Sequence, residues 1–109
     1  MTRPLPRPVP NPDPLARDIA AVGAMVRNYR AENGMPINDA ADLLGVSKDV
    51  LSRLENGRPI GLDKLFLILD GFGLNLLIVP KWHTPVARKA VLDSAAEHPS
   101  DGALALERD

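Results

Sequence analysis

Apolar residues in the first half of the chain recur at helical intervals. Leu15, Ile19, Val22, Val26 and Tyr29 follow at spacings of four, three, four and three, which places them on one face of a helix. Asp13-Pro14 offers a start for it, since Asp accepts from the first free N–H groups and Pro is tolerated at the first helical position. Gly34 can stop it in a left-handed conformation. Ile37, Ala40, Ala41 and Leu44 form a second helical face, opened by Pro36 and ended by Gly45. Ser47 is a good N-cap for a third helix reaching about Asn56, with Leu51 and Leu54 inward and Val50 beside them. Asn56-Gly57 ends that helix and Pro59 prevents its continuation. Leu62, Leu65, Phe66 and Leu69 give the inward face of a fourth helix ending at Gly71 or Gly73. Thr84-Pro85 opens a fifth through about Glu97, using Val86, Ala90 and Val91 or Leu92.

Two stretches break the helical rhythm. Residues 74–80 are short, apolar and β-favouring, with Gly73 before them and Pro80 at the end, and they read as a strand. Leu74, Leu76, Leu77, Ile78 and Val79 place apolar residues on both of its faces. A lone strand leaves its backbone groups unpaired, and no second strand is evident in the chain. The simplest partner is the same strand of a second copy, paired about a two-fold axis; folding over its own core is the other reading. The second break is the N-terminus, where Pro4, Pro6, Pro8, Pro10, Pro12 and Pro14 alternate with other residues. Proline lacks an N–H and fixes φ, so this is an extended, mobile arm, made basic by Arg3 and Arg7. The chain therefore divides into a disordered Pro-rich arm at 1–13, a helical domain with its strand at 14–81, and a C-terminal helix with an acidic tail at 82–109. Residues 93–109 hold five acidic residues and only Arg108 as a base.

Composition narrows the classes. The chain has 109 residues, enough for one domain, and is 45% apolar. With only Tyr29, Phe66, Phe72 and Trp82 as aromatic residues, the core has to come from aliphatic side chains on packed helices. No apolar run approaches the ~18 residues of a membrane span, and no signal-peptide pattern stands at the start. The chain has no cysteine, which excludes disulfides and thiolate metal sites. A cytoplasmic protein is expected. Thirteen basic and fourteen acidic residues give a net charge of −1, so any DNA contact has to come from a local cluster rather than a basic surface at large.

The chemistry concentrates between Ile37 and Asn56. Two helices crossing steeply need a small residue at their approach, a sharp turn and apolar residues facing a shared core. Ala41, Gly45 and Val46 meet these needs in order, with Ala40, Leu44, Leu51 and Leu54 at the other inward positions. On these residues, and on the run from Leu44 to Gly57, the chain resembles the Cro- and repressor-type (Xre-like) helix-turn-helix family over about residues 15–81. With Gly61-Leu62-Asp63-Lys64-Leu65 and the strand 74–79, the layout looks most like HipB-type antitoxins.

That resemblance implies a mainly α, repressor-like helix-turn-helix bundle of four to five helices, plus a short strand pairing across a dimer. It implies base contacts from Lys48, Asp49 and Arg53, since Lys and Arg donate to guanine O6 and N7 and Asp accepts from cytosine N4. It implies phosphate contacts from Ser47, Ser52, Asn56 and Arg58, which set register rather than sequence. It implies a structural pair of Arg30 and Glu55. This chain carries Ile37 where the family often has Gln, and Pro36 where it often has Thr or Ser. One phosphate anchor is thereby lost, and a modest operator affinity is expected.

The implied function is a homodimeric, sequence-specific repressor binding double-stranded DNA at an inverted repeat, in the role of an antitoxin that restrains a kinase-like toxin. A protein–protein adaptor that keeps the fold without binding DNA is the competing expectation, favoured by the near-neutral charge and Ile37. Taken alone, Lys48 and Arg53 also fit ordinary exposed helix charges, and Asp49 fits a first-turn acid favouring the helix dipole. Trp82 and His83 fit either a partner site or the end of a core. Nothing points to catalysis, a metal or a cofactor. His83 and His98 are the only histidines, Asp39 and Asp42 read as a solvated face, and Gly71-Phe72-Gly73 lacks the third glycine of a nucleotide loop.

Overall fold

Five α-helices follow one another: α1 (Ile19–Glu32), α2 (Ile37–Leu44), α3 (Lys48–Glu55), α4 (Leu62–Gly71) and, after a 3-10 turn at Lys81–His83, α5 (Thr84–Glu97). The structure, a computed structural model, describes residue 5, residues 7–10 and residues 12–97, the last two by their backbone alone. Arg3 and the acidic tail after Glu97 lie outside the described residues.

Side chains and glycines place the helix ends. Asp18, in extended conformation, caps α1 by accepting from the Ala21 N–H at 2.8 Å. The helix therefore begins five residues later than Asp13-Pro14 would place it. Asp13 instead accepts from the Leu15 N–H at 2.9 Å and closes a turn ahead of the helix. Its carboxyl is held below 3.8, first by that N–H and then by the Arg88 guanidinium. Arg88 reaches it from α5 through two bonds, Nε to Oδ1 at 3.1 Å and Nη2 to Oδ2 at 2.7 Å. Further along the arm, the Asn28 side chain takes both backbone groups of Val9, its Oδ1 accepting from the N–H and its Nδ2 donating to the carbonyl.

The core is built from Val26 of α1, Ala40, Ala41 and Leu44 of α2, Leu51 and Leu54 of α3, Ile68 and Leu69 of α4, and Phe72 just beyond it. Tyr29 tilts its ring over Phe72 at 5.5 Å between centroids. Gly23 lets α1 approach the backbone of α3, since a methyl there would overlap the Leu54 carbonyl.

The inward face of α4 is rotated from the expected one. Ile68 and Leu69 are buried and Leu65 packs against them, but Leu62 and Phe66 are 69% and 52% exposed. The run Leu65-Phe66-Leu67-Ile68-Leu69 is apolar all round, so spacing alone fits two faces equally well.

No strand occurs among the described residues, and residues 74–79 run in irregular conformation. The Leu74 N–H turns back to the Leu69 carbonyl at 2.8 Å and closes α4. Beyond it, no segment among the described residues lies alongside as a ladder partner, so the expected strand does not form there. Leu76, Leu77, Ile78 and Val79 are consequently exposed.

Candidate nucleic-acid interface

The turn between α2 and α3 is a tight glycine corner. Gly45 stands at φ 72°, a left-handed conformation that a side chain resists. The Val46 N–H then reaches the Ala41 carbonyl at 3.1 Å, and the Gly45 N–H reaches that of Asp42 at 3.3 Å. Two residues on, Ser47 caps α3, its Oγ accepting from the Val50 N–H at 3.1 Å. Ala40 and Ala41, both buried without bulk, let α2 lie close against α3.

With α3 so placed, one edge is sealed and the other is open. Leu51 and Leu54 are buried, while Lys48, Asp49 and Arg53 face solvent. Asp49 and Arg53 meet across one turn, Arg53 Nε standing 3.2 Å from Asp49 Oδ2, with side chains 73% and 54% exposed. Sequence reasoning treated these two as separate contacts; their spacing of four on a helix was the signal that they pair. Lys48 and Arg58 are exposed and carry no ion pair among the described residues.

The far end of α3 is stiffened by its own side chains. Asn56 Nδ2 donates to the Ser52 carbonyl at 2.8 Å and lies 3.4 Å from Ser52 Oγ. The Arg58 N–H reaches the Arg53 carbonyl at 2.8 Å across Gly57, which stands at φ 77°. Of the residues expected at phosphate, Ser47 and Ser52 thus already hold local bonds, and Arg58 leaves its guanidinium in solvent.

Arg30 and Glu55 come together behind the helix. The guanidinium grips the carboxylate with both edge donors, Nε to Oε2 at 2.7 Å and Nη2 to Oε1 at 2.8 Å. Its Nη1 donates to the Met35 carbonyl at 2.8 Å, a third bond that the sequence did not reveal. The pair joins α1 to the last turn of α3. At the start of α2, Pro36 takes the cap position with no side-chain bond, and Ile37 packs against the core.

Residues 26–79 match the helix-turn-helix family model, of the Cro and C1 kind. They form a helix-turn-helix domain. The match runs from the middle of α1 through α2, α3 and α4 to the end of the irregular apolar segment. No curated protein matches the chain. The helix-turn-helix family is one of DNA-binding regulators of transcription rather than enzymes. No helix among the described residues is long and apolar enough to cross a membrane. Within the matched residues, α2 and α3 are the two short helices joined by the Gly45 corner.

Proposed function

We propose that this protein is a homodimeric, sequence-specific transcriptional repressor that lays α3 in the major groove. The observation that carries this reading is the open edge of α3. Lys48, Asp49 and Arg53 project from a short helix whose other edge is fixed by Leu51, Leu54 and the Arg30–Glu55 pair. In that role Lys48, Asp49 and Arg53 form the base-facing set, and Ser47, Ser52, Asn56 and Arg58 face the phosphates. Two copies related by a two-fold axis would present two such helices about 34 Å apart, one turn of DNA. Residues 74–79 supply the dimer edge in this reading, with Leu74 anchored to the core and Leu76, Leu77, Ile78 and Val79 meeting their counterparts.

A selection from random duplexes tests it, run with the wild type beside a Lys48→Ala/Arg53→Ala double variant. Enrichment of an inverted repeat by the wild type alone is expected, each alanine costing about 1–3 kcal/mol of specific binding. Binding should also weaken steeply with salt, because released counterions accompany every phosphate contact. No enrichment by either protein would turn the reading to a protein–protein adaptor. An antitoxin role in the cytoplasm extends the repressor reading through the HipB-like layout. It predicts that a kinase-like partner co-purifies from native cells.

A further inference from the structure

The Asp49–Arg53 pair lies on the very edge that the repressor reading turns toward DNA, and its geometry divides the labour between the two residues. A guanidinium offers donors on two edges, Nε with one terminal nitrogen or the two terminal nitrogens together. Here the carboxylate of Asp49 stands at the Nε side, 3.2 Å from it. The contact is an ion pair rather than a directed hydrogen bond, and the terminal nitrogens donate no hydrogen bond among the described residues. That leaves free the end that can donate to O6 and N7 of one guanine. A long Arg side chain at 54% exposure otherwise samples many rotamers, and phosphate oxygens outnumber base edges as acceptors.

Resting on the repressor reading, we infer that Asp49 is a positioning residue: it reads no base itself, and it braces Arg53 end-on toward a guanine while denying Arg53 the backbone. Charge supports the second half. A carboxylate on the DNA-facing edge is repelled by phosphates, and Arg53 neutralises it only while the two remain paired. If Arg53 swings to a phosphate, Asp49 is left unpaired beside the DNA backbone. The arrangement therefore gives up some overall affinity in exchange for discrimination. Asp49 lies in the first turn of α3, where the positive helix end favours an acidic side chain.

The test is a base-resolved comparison of operator preference for the full chain and three variants: Asp49→Asn, Asp49→Glu and Arg53→Lys. Asp49→Asn and Arg53→Lys are expected to relax the same guanine–cytosine pair, each by roughly tenfold, the discrimination of one good bidentate contact. Asp49→Asn should at the same time bind non-specific duplex several-fold more tightly. Asp49→Glu keeps a carboxylate one turn from Arg53 and should restore most of the preference. In the Arg53→Lys background, Asp49→Asn should add no further loss at that base pair. If Asp49→Asn relaxes a different base pair from Arg53→Lys, Asp49 reads its own base and the brace is overturned. Unchanged preference at every position in Asp49→Asn overturns it as well. A wild-type protein that enriches no sequence removes the repressor reading, and the brace falls with it; the two failures are told apart by the wild-type arm.

Discussion

Arg30 and Glu55 have side chains only 7% and 5% exposed, so their charges sit outside the reach of bulk water. Such a pair contributes little net stability compared with apolar residues of the same shape, but losing half of it strands the other charge. Glu55→Ala should therefore destabilise the domain by about 3–5 kcal/mol, read as a lower midpoint in urea denaturation at unchanged slope. Arg30→Ala should lose at least as much, because the Met35 carbonyl also loses its donor. A loss within 0.5 kcal/mol, the range of ordinary surface changes, would mean the pair is solvated in solution. The partners stand 25 residues apart, a separation at which no periodicity links them. Their meeting was legible only because the surrounding motif resembles a known one. The third bond, to a backbone carbonyl, left no trace in residue types at all.

At the scale of elements, glycine and capping residues made four helix ends readable. Gly45 and Gly57 stop α2 and α3 at the expected places because an αL corner has few other occupants. The start of α1 lies beyond Asp13-Pro14 because Asp18 caps the helix, while Asp13 closes a turn on the Leu15 N–H and pairs with Arg88 of α5. Gly23 shows the same limit from the other side. By helix propensity, Gly23→Ala inside α1 would stabilise by up to ~1 kcal/mol. In the folded chain the new methyl overlaps the Leu54 carbonyl, a backbone atom that moves only with α3. The substitution is therefore expected to destabilise by about 1–3 kcal/mol, the ordinary range for overpacking. Thermal melting decides the sign, and any rise in Tm would mean α1 and α3 are not in close approach. Because α3 carries the proposed reading edge, operator affinity should fall with it even where the domain remains folded.

The arm and α5 are tied by one titratable contact. Asp13 is depressed by the Leu15 N–H and by Arg88, so the bound form is favoured while the carboxylate is charged. The sign follows: this tie is fully present above the unfolded Asp value near 3.9 and is lost as pH falls through the lower folded value. Carboxyl-carbon NMR should place the Asp13 midpoint below that of a free Asp. Arg88→Ala should move it upward without abolishing the depression, since the Leu15 N–H remains. An Asp13 midpoint at the free value would mean the arm is not held in solution.

Across the whole molecule, the least balanced feature is the apolar surface left uncovered. Leu77 and Ile78 are 75% and 90% exposed, and Leu62, Phe66, Trp82 and Val86 are exposed as well. Scattered apolar residues need no explanation, but here a run of consecutive ones is joined to a backbone with no ladder partner among the described residues. The strand expected from the β-favouring residues at 74–79 does not form among the described residues, because strand pairing needs a neighbouring segment that residue types alone do not place. Leu77→Lys combined with Ile78→Glu removes nothing from the core, so helix content should hardly change. Sedimentation should show the wild type as a dimer and the variant as a monomer at the same concentration. A monomer should also lose the gain of holding two half-sites at once, so its affinity for an inverted repeat should drop toward that for a single half-site. If the wild type is itself a monomer at every concentration reached, these residues face something else, and pairing of like edges is not what covers them.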